Sequence, residues 1–135
     1  MDAKGRILVV DDEDVVRRAY ARILDEMNCE AQSAVDGEKA LQAMEEQAFD
    51  VVLLDLRMPG AHGLDILRAI KERWPASEVV VITGYPTVES ARQAIRLGAC
   101  DYLAKPADPD DVITAARNAL RRKKWALRAE AVMVH

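Results

Sequence analysis

The sequence predicts an α/β fold, a five-stranded parallel sheet doubly wound by five helices. Three observations carry that expectation. Apolar runs of four recur at Ile7-Leu8-Val9-Val10, Val51-Val52-Leu53-Leu54 and Val79-Val80-Val81-Ile82, each bounded by polar residues. Strands buried on both faces read this way. Segments of helical periodicity alternate with these runs along the chain, the pattern of strands joined by crossover helices. At 135 residues the chain is about one domain long, enough to bury one proper core.

Taken in order, the first strand is followed by Val16, Ala19, Tyr20, Ile23 and Met27 at helical spacing. A short second strand is expected over 30–34. Asp36 can cap the next helix, with Ala40, Leu41, Met44 and Ala48 as its inner face. Strand three ends at Asp55, and Leu56-Arg57-Met58-Pro59-Gly60-Ala61-His62-Gly63 reads as a loop. Leu64, Leu67 and Ile70 continue as a helix stopped near Trp74-Pro75. Strand four leads to Thr83. Pro86 and Thr87 precede a fourth helix with a thin inner side of Val88, Ala91, Ala94 and Ile95, ended by Gly98. Strand five, 101–104, runs into Lys105-Pro106. The fifth helix opens with Asp108 as cap, Pro109 in the first turn, and Asp110 and Asp111 facing the helix dipole.

Composition bounds the function. Half the residues are hydrophobic and 31% are charged, ordinary for a soluble globular chain. A net charge of −4 and a pI near 5.2 argue against direct nucleic-acid binding. Cys29 and Cys100 lack metal-ligand spacing and fit reduced thiols in a cytosolic protein. The first residues lead straight into a strand without a signal peptide, and the apolar runs fall far short of the roughly 18 residues of a membrane span. The expectation is a soluble, cytoplasmic domain.

The chemistry lies at the strand ends. In an open α/β sheet the carboxyl ends of the strands form the crevice where ligands bind. Asp11 and Asp12 close the first strand and Asp55 the third. Three carboxylates gathered there ask for a cation, and oxygen-only ligands suit Mg²⁺. Thr83 adds a hydroxyl from strand four and Lys105 an ammonium from strand five. That inventory suits phosphoryl transfer onto a carboxylate, with Asp55 as the central candidate.

In combination, Asp11-Asp12, Asp55-Leu-Arg-Met-Pro-Gly, Thr83-Gly and Lys105-Pro106 resemble the receiver domain of bacterial two-component response regulators over about residues 5 to 122. The stretch from Thr83 to Asp111 is similar to receivers of the nitrogen-regulation type, which drive transcription through an ATPase module. The resemblance implies a flavodoxin-like sheet of order 2-1-3-4-5. It implies that Asp55 accepts a phosphoryl group from a sensor histidine kinase. Asp12 would bind Mg²⁺ directly, with Asp11 nearby and the main-chain carbonyl of Arg57 as a further ligand. Lys105 would contact the phosphoryl group, and the bond to Pro106 is expected to be cis. Thr83 and Tyr102 would form the switch, relayed through the fourth helix, fifth strand and fifth helix. Such a domain is a phosphoacceptor and not a turnover enzyme. Arg57, by its position near the acceptor, is expected to tune the lifetime of the acyl phosphate. Ala61-His62, where many relatives carry Met-Asp, is a departure expected to leave phosphorylation intact.

Singly, each of these residues has a plainer reading. Asp11, Asp12 and Asp55 alone read as caps or solubility residues, Thr83 as a β-former, Lys105 as a solvated lysine and Tyr102 as core. Their joint placement reverses those odds. His62 and His135 read as surface residues, Trp74 and Trp125 as packing residues. A haloacid-dehalogenase-type Mg²⁺-dependent phosphatase is the nearest enzyme alternative, but its nucleophile sits on the first strand as Asp-x-Asp. A flavodoxin-like cofactor binder needs a phosphate cradle where this chain has Asp-Asp-Glu-Asp. Residues 123–135 read as a frayed helix end or as a linker to an output domain. Ile113, Leu120, Leu127 and Val134 lie seven apart, a weak coiled-coil seam. A homodimer through the fourth and fifth helices or the tail, and a stand-alone receiver that docks a protein partner, both stay open at this point.

Overall fold

The computed structural model describes residues 5–58 and 61–134, with Met58, Ala61, His62 and residues 125–134 described by backbone alone. Its elements in chain order are β1 (Arg6–Val10), α1 (Asp14–Glu26), β2 (Glu30–Ala34), α2 (Gly37–Glu46), β3 (Val51–Leu54), β4 (Arg57–Met58), β5 (Ala61–His62), α3 (Gly63–Arg73), β6 (Glu78–Thr83), α4 (Val88–Arg96), β7 (Asp101–Ala104) and α5 (Pro109–Val134). The main sheet is ordered β2-β1-β3-β6-β7 with every pair parallel. Counting only its own strands, this is the expected order 2-1-3-4-5, flavodoxin-like and wound by five helices.

The pleat divides each apolar run between two cores. Ile7, Val9, Val51, Leu53, Val80 and Ile82 face α1 and α5, where Tyr20, Leu24, Val112 and Ala116 meet them. Leu8, Val10, Val52, Leu54, Val79 and Val81 face α2, α3 and α4, against Ala40, Met44, Leu67, Ile70 and Ala94. A strand covered on both faces has no polar side, so it appears in sequence as an unbroken apolar run.

Helix ends follow the expected chemistry. Asp36 caps α2 by accepting from Lys39 N–H at 2.8 Å. Thr87 and Ser90 form a reciprocal capping box at the start of α4. Gly98 follows α4 with φ +106°, a left-handed position that glycine takes at no steric cost. The carbonyl of Asp108 accepts the N–H groups of Asp111 and Val112 as α5 begins.

Several expectations need correction. Ala48 lies beyond the end of α2 and is exposed, and Ala19 is exposed on α1 while Leu24 is fully buried. Val88 (74% exposed) and Ile95 (53%) point outward from α4, so that helix is held mainly by Ala94. The loop after Asp55 contains an antiparallel pairing, Arg57 with His62 and Met58 with Ala61. Trp74 packs as expected, half-buried on the α2–α4 core with Arg73 over its ring at 4.4 Å. Pro59, Gly60 and His135, and the side chains of His62 and Trp125, lie outside the described residues. At the N-terminal edge of the sheet, Lys123 of α5 donates to Asp50 Oδ1 at 2.5 Å, and Arg6 N–H donates to Asp50 Oδ2 at 2.8 Å.

Candidate functional site

The sheet ladder continues one residue past several strand ends, and this fixes the site. Asp11 N–H donates to Ala34 O, Asp55 N–H to Val10 O and Lys105 N–H to Thr83 O, at 3.2, 3.0 and 2.8 Å. Register thus brings residues far apart in sequence to one edge, with the strand of Asp55 between those of Asp11 and Thr83.

Asp11, Asp12 and Asp55 each offer a carboxylate oxygen, all within 4.8 Å of one another. Asp11 and Asp55 are buried, and Asp12 is exposed. Lys105 Nζ lies 2.6 Å from Asp11 Oδ2 and 3.1 Å from Asp55 Oδ2, with Glu13 farther off at 3.9 Å. One ammonium therefore serves two buried carboxylates. Burial pushes the Asp55 carboxyl up from its ordinary value, even though Arg57 N–H donates to Oδ1 at 3.0 Å and Lys105 pulls the other way. Burial also opposes the charge on Lys105, but its hydrogen bonds to Asp11 and Asp55 outweigh that, and the ammonium is held above its ordinary value. An all-oxygen set with surplus negative charge, open on the Asp12 side, suits a hard divalent cation such as Mg²⁺.

Thr83 is buried at the end of β6, and its Oγ1 accepts from Tyr85 N–H at 3.3 Å. The Lys105–Pro106 peptide is cis. Tyr102, half-buried on β7, directs its hydroxyl to Ser90 Oγ at 2.5 Å and toward Thr87 N–H at 3.4 Å. Its ring thus leans on the capping box of α4 and not into the acidic crevice. Sequence reasoning missed Ser90 and Tyr85. Arg57 Cζ lies 3.8 Å over the Tyr85 ring, which joins the loop after Asp55 to the loop after Thr83. Neither pairing has a spacing signal, because each joins separate segments of the chain. Cys100 stands apart from this edge, half-buried, with its thiol pushed up to about 11, chiefly by burial. Such a thiol is a poor nucleophile.

Known proteins are similar to this chain in sequence and fold. The family model for the response regulator receiver domain matches residues 7–117. The alginate biosynthesis transcriptional regulatory protein AlgB of Pseudomonas putida is 34% identical over 97% of this chain, which covers 29% of that protein. The regulatory protein AtoC of Escherichia coli is 38% identical over 90% of this chain and is covered over 26% of its length. The chain thus spans less than a third of either regulator. Among solved structures, NtrX from Brucella abortus superposes with a TM-score of 0.90 at 37% identity, covering 96% of this chain and 30% of that one. A response regulator receiver domain from Clostridium thermocellum gives 0.84 at 35% identity, covering 90% and 98%.

Proposed function

This chain belongs to the response regulator receiver domains, and from that premise we propose that it is a phosphorylation-driven switch whose acceptor is Asp55. The observation that carries the reading is the single Lys105 ammonium shared between Asp11 and Asp55, with Asp12 alongside. A carboxylate oxygen of Asp55 attacks the phosphorus of a phosphohistidine on a sensor kinase. The new P–O bond forms as the P–N bond breaks, and the imidazole nitrogen keeps the bonding pair. Lys105 turns a donor from Asp55 to a phosphoryl oxygen. Thr83, whose hydroxyl keeps a proton to donate, binds another.

Asp11, Asp12, Asp55 and the main-chain carbonyl of Arg57 would hold Mg²⁺. When bound, that ion offsets charge on the phosphoryl oxygens. The product adds roughly −1.5 to −2 charge to a crowded anionic edge. Thr83 meets it only if the loop after β6 moves, and that loop leads into α4. With Ala94 as its main buried anchor, α4 shifts readily, and Tyr102 is released from Ser90 to turn inward. The α4–β7–α5 face then reports the state to an output domain, for which 123–135 would serve as the connecting helix. The similarity to transcriptional regulatory proteins such as AlgB supports transcriptional regulation as that output, and a receiver of this kind would work in the cytoplasm. Among the described residues no helix is long and apolar enough to cross a membrane.

Incubation with Mg²⁺ and acetyl phosphate, read by intact mass, tests the reading. One phosphoryl group is expected on the wild type and none on Asp55→Asn. Folded wild type that gains no phosphate, or an Asp55→Asn variant that gains one, would overturn the assignment.

A further inference from the structure

We infer that Arg17 is a positioning residue for this site, bracing the β1–α1 turn that carries Asp12 through its hydrogen bonds and not through its charge. The inference rests on the Mg²⁺ reading above. Arg17 Nη1 donates to the main-chain carbonyl of Asp11 at 2.8 Å, and Nη2 donates to Asp14 Oδ1 at 3.2 Å. The two ends of one guanidinium therefore grip the chain on either side of Asp12. The Arg17 side chain is only 15% exposed, so water competes weakly for its bond to the Asp11 carbonyl, while Asp14, 57% exposed, is the wetter foothold. Arg18 Nε holds the other Asp14 oxygen at 2.9 Å and steadies that second foothold.

The turn depends on such a brace because its usual fastening is missing. The residue before α1, Glu13, makes no side-chain capping bond. Asp11 is secured at every polar atom: its N–H by Ala34 O, one carboxylate oxygen by Glu13 N–H, the other by Lys105, and its carbonyl by Arg17. Asp12 is exposed, and the backbone on either side of it sets where its carboxylate stands. A planar guanidinium with donors at both ends can span the turn, whereas the compact ammonium of lysine reaches one foothold at a time.

The sign of the effect separates a brace from a bystander. A cation beside a cation site repels the incoming ion, so an Arg17 acting only as a charge would weaken Mg²⁺ binding, and its removal would tighten it. A brace gives the reverse. Loss of an outer-shell partner typically lowers metal affinity 10- to 100-fold. Arg17 touches the backbone of the site and no ligand oxygen of it, so about 10-fold is expected.

Titration calorimetry of the full chain with Mg²⁺ alone tests this in wild type, Arg17→Met and Arg17→Lys. Both variants should bind about 10-fold more weakly than wild type. With acetyl phosphate, the half-saturating Mg²⁺ should rise by the same factor while the rate at saturating Mg²⁺ stays within about twofold. Unchanged or tighter binding by Arg17→Met overturns the inference, as does a lowered Tm with unaltered Mg²⁺ affinity. If Arg17→Met does not fold, Arg17→Lys decides alone, since it keeps the charge and wild-type affinity there would sink the brace. Wild type that binds no Mg²⁺ would instead remove the metal reading on which the inference stands.

Discussion

At the C-terminal edge of the sheet one ammonium, Lys105, serves two carboxylates whose side chains are 3% and 5% exposed. At the opposite edge one carboxylate, Asp50, 32% exposed, is served by the Lys123 ammonium and the Arg6 N–H. The residue types are the same, and the consequences are opposite. Burial dominates at Asp55 and pushes its carboxyl up. At Asp50 burial also pushes up, but the Lys123 hydrogen bond, the Arg6 N–H and both charges outweigh it, and the carboxyl is held below its ordinary value. The N-terminal pair is electrostatically settled and behaves as a structural tie. The C-terminal cluster carries unbalanced negative charge, which suits a site that takes a cation. Among lysine–aspartate pairs, the degree of compensation marks where the chemistry is.

Removing each partner should sharpen that contrast. Lys105→Met leaves two buried carboxylates without their shared cation and should lower stability by about 3 kcal/mol in Mg²⁺-free buffer at pH 7. Urea denaturation reads this, and added Mg²⁺ should recover part of the loss. A variant as stable as wild type would break the comparison at its strong end. Asp50→Asn removes a charge-assisted tie that is partly screened by water and should lower stability by about 1.5 kcal/mol. It should also flatten the acid limb of the stability profile. Because the Asp50 carboxyl is depressed in the fold, its contribution is present above the ordinary value of 3.8 and is lost as pH falls through the lowered one. A thermal-melt series from neutral to acid pH should therefore show a shallower decline for Asp50→Asn than for wild type. The smallest effect has the opposite sign. Asp55→Asn should raise stability by about 1 kcal/mol in Mg²⁺-free buffer, because it deletes a buried charge that the site does not fully compensate. An Asp55→Asn variant that melts below wild type would show that Asp55 is as settled as Asp50.

Much of this was legible in the chain because burial on both faces of a parallel sheet leaves a strong apolar signal. The runs at 7–10, 51–54 and 79–82 fell where expected, and the strand-end residues came to one edge with them. What the sequence hid has two physical causes. Pairings between distant segments, such as Lys123 with Asp50 or Ser90 with Tyr102, leave no periodic trace. Apolar residues on a short helix mislead as well. Val88 and Ile95 fit a helical stripe in α4, yet the nine-residue helix turns Ala94 inward and leaves both exposed. The pairing of Arg57–Met58 with Ala61–His62 is two residues long on each side, too short for alternation to register.

The length of α5 has a mechanical consequence. The helix runs without interruption from Pro109 to Val134, and Lys123 pins it to the sheet edge farthest from Asp55. At 1.5 Å per residue, about 16 Å of rod extends past that pin. Lys123 would act as a fulcrum, with the remainder of α5 as an arm beyond it. A tilt of about 10° at the pin would sweep the Val134 end through roughly 3 Å. That is comparable to the helix displacements of 1–2 Å that suffice to repack protein interfaces. A rearrangement beside β7 would then pass along the chain as a tilt of this rod, with no need for the sheet itself to deform.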